Sequence, residues 1–121
     1  MSGPERSDPR RDDDADWFTI SYPDPFMIKV YPIRPEKRAA IPAVTHVDGT
    51  GRLQTVSRSA NLPYWTLIEA FRRETGVPVV LNTSFNLHGE PIVCTPTDAV
   101  DTFERSGLPH MALGHFLISK R

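Results

Sequence analysis

The chain has 121 residues, 39% hydrophobic and 24% charged, with a net charge of −1, which fits a single globular domain. That balance gives no electrostatic case for nucleic-acid binding. No apolar run approaches the roughly 18–20 residues of a membrane span, and the charged N-terminus lacks the apolar stretch of a secretory signal. Cys94 is the only cysteine, which excludes an internal disulfide and fits a reducing, cytoplasmic setting.

Charge is unevenly spread. Residues 1–16 hold six acids and three arginines, whereas the remaining 105 hold nine acids and eleven Lys or Arg. The opening segment has almost no apolar content with which to offset an ordering entropy of about 1–2 kcal/mol per residue. A disordered tail over 1–16 and a folded domain over 17–121 are therefore expected.

Five prolines between Pro23 and Pro42 forbid a long helix there and favour short strands joined by turns. Met27 to Ile33 reads as a strand, Arg34 to Arg38 as a polar turn, and Ala43 to Val47 as a second short strand. The run Asp48-Gly49-Thr50-Gly51 supplies turn chemistry, and Arg52 to Val56 alternates like a half-buried strand. Asn61 can cap a helix whose apolar stripe is Tyr64, Leu67, Ile68 and Phe71, with Gly76 placed to end it. A strand over Val77 to Leu81 follows. Thr95, Pro96 and Asp98 spell a capping box for a second helix, with Ala99, Val100 and Phe103 inward and Gly107 as its stop. A last strand is expected near the C-terminus. The order is α/β.

The apolar run Val77 to Leu81 ends abruptly in Asn82-Thr83-Ser84-Phe85-Asn86, with Gly89 three residues on. Hydroxyls and amides offer neutral donors and acceptors suited to phosphate oxygens, a carbonyl or an amide-like group. Residue types alone equally describe a turn that satisfies its own backbone. Arg52 and Gln54 face the same way along one strand, where a guanidinium can bind phosphate or serve as a solvated edge. His46, His88, His110 and His115 show no metal-ligand spacing, so no metal site is expected. Cys94 reads as a small packed residue, and the Lys37-Arg38 and Arg72-Arg73 pairs as solvated charge.

Two stretches together resemble a known family. They are THVDGTGRLQTV (residues 45–56) and FRRETGVPVVLNTSFNLHGEPIVCTPTDAVDTFERSGL (residues 71–108). They are similar to the C-terminal, YrdC-like region of the O-carbamoyltransferases that modify nodulation factors and antibiotics. Thr83 to Pro91 matches the TS-x-N-x-x-G-x-P signature of domains that form carbamoyl adenylate. The resemblance implies a partial YrdC-like twisted mixed sheet with two main helices, using ATP with Mg2+ and carbamoyl phosphate as substrates. It implies that Arg52 contacts phosphates and has a catalytic role with Ser84. Thr83, Ser84, Asn86 and Gly89 would hold the adenylate or its carbamoyl group.

The family's upstream basic motif, roughly K-x-R-E-x-x-R-P, has no equivalent here, and neither does its transferring domain. A large partner subunit carrying that domain is therefore expected, or a homodimer that covers an open sheet edge. The alternative is a non-catalytic binding protein, or a truncated remnant that retains the fold.

Overall fold

Blocked backbone donors keep the elements after Pro23 short, as proline requires. A computed structural model describes residues 2–4, 16–19 and 23–121. These fall into two units, Met1–Asn82 and Thr83–Arg121. Most of the expected disordered tail, residues 1 and 5–15, lies outside the described residues. Within that tail Ser2–Pro4 form β1, which pairs in parallel with β4, Gln54–Val56.

In the first unit, β2 (Val30–Pro32) pairs antiparallel with β3 (Thr50–Arg52). Phe18 bridges Ile33 beside them. The expected strand from Met27 is thus reduced to its last residues. The reason is Asp24, whose carboxylate accepts the amides of Ile28 and Lys29 and curls the chain into a loop. Met27 in that loop is left-handed, at φ 57°. Pro35–Ala40 and Pro42–Val44 form 3-10 turns. The expected turn after Arg34 is therefore helical, and the expected strand over Ala43 to Val47 does not form. A proline opens each turn at the first helical position, where its fixed φ suits a helix and its missing donor costs nothing.

The expected strand from Arg52 to Val56 is parted at Leu53 into β3 and β4, which pair with different strands, so Arg52 and Gln54 do not share one strand. Arg52 is turned to solvent and Leu53 and Thr55 are buried, but Val56 is buried too and ends the alternation. Helix α1, Leu62–Thr75, starts on Asn61, whose side chain accepts from the Tyr64 amide, and ends on Gly76 at φ 77°. Its inward edge is narrower than the apolar stripe predicted. Ile68 is fully buried, while Leu67 is exposed and Phe71 lies on the rim of an apolar cleft with Ile41, Val44, Val77 and Val79. The Val77 to Leu81 segment contains one isolated bridge, at Val80, in place of a full strand. The core joins Trp17, Phe18, Tyr31, Ile33, Ile41, Leu53 and Val79. Each such side chain contributes about 1.5–3 kcal/mol by leaving water.

The second unit is a polar loop, helix α2 and a hairpin. Helix α2, Pro96–Arg105, begins with the complete capping box predicted from Thr95 and Asp98. It ends on Ser106 in extended conformation rather than on Gly107, the Ser106 amide bonding Thr102 O and Phe103 O. Ala99, Thr102 and Phe103 are buried, while Val100 is only half-buried. The expected last strand is a hairpin, with β5 (His110–Leu113) and β6 (Phe116–Ser119) paired in register Leu113 to Phe116. Gly114, at φ 60°, opens its two-residue turn in the manner of a type II′ connection. The chain is thus α/β, with two main helices and small parallel and antiparallel ladders.

Candidate functional site

The turn before Arg52 is built from its own side chains. Asp48 Oδ1 accepts the Thr50 amide at 3.0 Å and the Thr50 hydroxyl at 2.6 Å. The hydroxyl proton is thereby committed, so His46 Nδ1 at 3.0 Å must carry a proton and donate to Thr50 Oγ. The Thr50 bonds, with a smaller contribution from His46, hold the Asp48 carboxyl below its usual range. Gly49 sits at φ 82°, and a Cβ there would lie 2.3 Å from Arg38 Cζ. Asp48 therefore builds a turn.

Arg38 is fixed on that turn, its Nε donating to Ile33 O at 3.1 Å. Lys37 lies 4.9 Å from the centroid of the Trp17 ring. Arg72 and Arg73 both bond the carboxylate of Glu69, which is only 5% exposed. Both pairs expected as solvated charge are thus partnered. For the arginines the i,i+3 and i,i+4 spacing from Glu69 was a usable signal.

The turn delivers Arg52 at the end of β3, exposed. Among the described residues its side chain makes no hydrogen bond or ion pair. Gln54, which opens β4, donates through Nε2 to Pro25 O at 3.0 Å and accepts from Asn82 Nδ2 at 2.5 Å.

In the second unit, Thr83 and Ser84 are exposed, and their hydroxyls have no partner among the described residues. Asn86 is different. Its Nδ2 donates to Leu87 O at 3.2 Å and Glu90 O at 3.0 Å, so the amide nitrogen braces its own loop and leaves Oδ1 as acceptor. The Glu90 amide bonds Leu87 O at 3.0 Å. With Gly89 at φ 78° this makes a type II turn, whose third position wants glycine. The Val93 amide closes the loop onto Phe85 O at 3.0 Å.

Arg105 rivets the loop to α2. It meets the Glu90 carboxylate with two bonds, at 2.5 and 2.9 Å, and Asp101 at 2.9 Å. Arg105 holds the Glu90 carboxyl below its usual range. Residue spacing gave no sign of this pair, since 15 positions separate its members. Cys94 is exposed, not packed, because its backbone amide is drawn to the capping carboxylate of Asp98.

Among the described residues, no group of three or more His, Cys, Asp or Glu could hold a metal ion. Among them too, no helix is long and apolar enough to cross a membrane.

The family model of the carbamoyltransferase C-terminus matches residues 8–120. The chain is 57% identical over 97 residues to nodulation protein NolNO of Sinorhizobium fredii, covering 80% of this chain and 14% of that protein. It is 50% identical over 97 residues to nodulation protein NolO of Bradyrhizobium diazoefficiens, covering 80% and 18%. To the 3'-hydroxymethylcephem-O-carbamoyltransferase of Amycolatopsis lactamdurans it is 38% identical over 97 residues, again covering 80% and 18%. The chain therefore spans less than a fifth of the length of these relatives, in which the matched region sits within a much larger protein. With nearly all of its length inside the family model, the chain belongs to the carbamoyltransferase C-terminus family.

Proposed function

We propose that this chain provides part of the adenylate-forming site of an O-carbamoyltransferase. It would act on ATP, carbamoyl phosphate and water to give carbamoyl adenylate, with inorganic phosphate leaving from carbamoyl phosphate and pyrophosphate from ATP. The carbamoyl group then passes to a small-molecule hydroxyl on a domain or large subunit outside this chain, and AMP leaves as the bond from the carbamoyl group to its phosphate breaks. One relative is named as an O-carbamoyltransferase of a 3'-hydroxymethylcephem, which agrees with a hydroxyl acceptor.

The observation that carries this reading is the uncommitted chemistry of Arg52, Thr83 and Ser84 in a chain of this family. A free guanidinium suits charge that develops on phosphate oxygens. Ser84 and Thr83 offer hydroxyls that donate or accept as the ligand demands. Asn86 has spent its donors on the loop, so its remaining Oδ1 would accept from the carbamoyl NH2. Gly89 contributes by shaping the turn. Mg2+ keeps waters and binds through substrate phosphates at sites of this kind, so it would arrive with ATP.

Calorimetric titration of the chain with ATP and Mg2+, with and without carbamoyl phosphate, tests the reading. Arg52→Ala and Ser84→Ala are expected to weaken binding about ten-fold or more, the scale of a charge-assisted hydrogen bond. Binding that is the same in both variants as in the parent chain would overturn the assignment.

A further inference from the structure

Gln54 and Asn82 meet side chain to side chain although 28 positions separate them. The carbonyl of Pro25, which receives Gln54 Nε2, can only accept. The Gln54 amide must therefore turn its NH2 toward Pro25 and its oxygen toward Asn82. Asn82 is in turn held as a donor, its orientation set by a loop and a strand of the same unit. Two facts of position give this relay its interest. Asn82 immediately precedes Thr83-Ser84-Phe85-Asn86, and Gln54 lies two residues beyond Arg52 in the chain.

We infer that the Gln54–Asn82 pair is a positioning latch, fixing the point and direction from which the Thr83–Asn86 segment departs. The inference rests on the proposed nucleotide and carbamoyl site. Asn82 is exposed and Gln54 half-buried, so water replaces either partner at little cost to folding. The bond is better suited to orienting the root of the polar segment than to holding the unit together. Its polarity also makes the two partners unequal. Gln54→Glu keeps an acceptor for Asn82 but loses the donor to Pro25 O, whereas Asn82→Asp sets a carboxylate against Gln54 Oε1.

The test compares the full 15N-labelled chain with Asn82→Ala, Gln54→Ala, the double variant, Gln54→Glu and Asn82→Asp. The backbone amide resonances of Thr83 and Ser84 are expected to move alike in the two alanine variants, and no further in the double. Gln54→Glu should leave the Thr83 and Ser84 resonances nearer the parent positions than Gln54→Ala does, because it keeps the acceptor for Asn82 while losing the bond to Pro25 O. Asn82→Asp should follow Asn82→Ala. Unmoved resonances overturn the latch, and so do shifts that add in the double variant. With ATP and Mg2+ present, the dissociation constant should rise about five-fold in the two alanine variants and in their double alike. Equal affinity in all of them also overturns the latch. A parent chain that binds no ATP counts against the proposed function instead, and the resonances still decide the latch.

Discussion

Asp24 shows how one buried side chain can replace a stretch of regular structure. Its carboxylate, 6% exposed, accepts the amides of Ile28 and Lys29 at 3.3 and 3.2 Å and the Tyr31 hydroxyl at 3.3 Å. Its backbone exchanges bonds with Thr55, the Asp24 amide donating to Oγ1 and the Thr55 amide to Asp24 O, each at 2.9 Å. Burial pushes the carboxyl up, but these donors outweigh it and the group is held below its usual range. A depressed folded value means stability that is fully present above the unfolded value of about 3.9. That contribution is lost as pH falls through the lower folded value. Asp24→Asn keeps the shape but presents an NH2 to donors. It should cost about 1–3 kcal/mol near neutral pH, with the gap to the parent narrowing in acid. Urea unfolding at pH 7 and at stepped values below 4 measures both. A gap that is constant with pH would mean the carboxylate charge is not what the loop uses.

Elements with a local chemical signature are the ones the sequence disclosed. Asn61 and Gly76 bound α1, and the Thr95 and Asp98 capping box starts α2, because each cap is a contact between residues three or four apart. Strand pairing depends on distant partners. The apolar run of Val77 to Leu81 therefore looked like a strand, yet only Val80 makes a bridge. Likewise β5 and β6 merged into one expected strand, because Gly114-His115 is a weak turn signal beside Asn-Gly. The site divides in the same way. The residue types of the proposed site, at Arg52, Ser84 and Asn86, are visible in the sequence, but the bracing of the Asn86 loop by Glu90 and Arg105 depends on a long-range ion pair. The capping box carries the clearest element-level expectation. Thr95→Ala removes the acceptor for the Asp98 amide and should destabilise α2 by about 1 kcal/mol. Hydrogen exchange of the 96–105 amides reads this directly. Unchanged protection would show that burial of Phe103, not the cap, sets the helix start.

At the scale of the whole chain, apolar burial is lopsided. Of the eleven buried hydrophobic residues among those described, nine lie in the first unit, and only Ala99 and Phe103 lie in the second. Meanwhile Phe116 and Leu117 in the hairpin are about three-quarters exposed, at 75% and 76%. Local stability follows buried apolar contact, so the second unit should open more readily than the first. What it has instead are directional bonds: the cap, the Glu90–Arg105–Asp101 network, Lys120 bonded to Ser106 O, and the Lys120 ammonium 4.8 Å from the Phe103 ring centroid. Exposed ion pairs contribute little, with a median of about 0–1 kcal/mol, and salt screens them. Native-state hydrogen exchange should therefore show the α2 and hairpin amides opening at lower free energy than those of α1. The difference should widen as salt weakens the Arg105 network. Phe103→Ala should abolish protection across 96–119 while leaving α1 protected, because Ala99 and Thr102 alone cannot replace the ring. Equal opening energies in both units, or loss of α1 protection in that variant, would show that the chain folds as one cooperative body. The polar segment at Thr83–Asn86 would then be as rigid as the core, whereas a separately opening second unit makes it an adjustable limb whose order depends on what binds it.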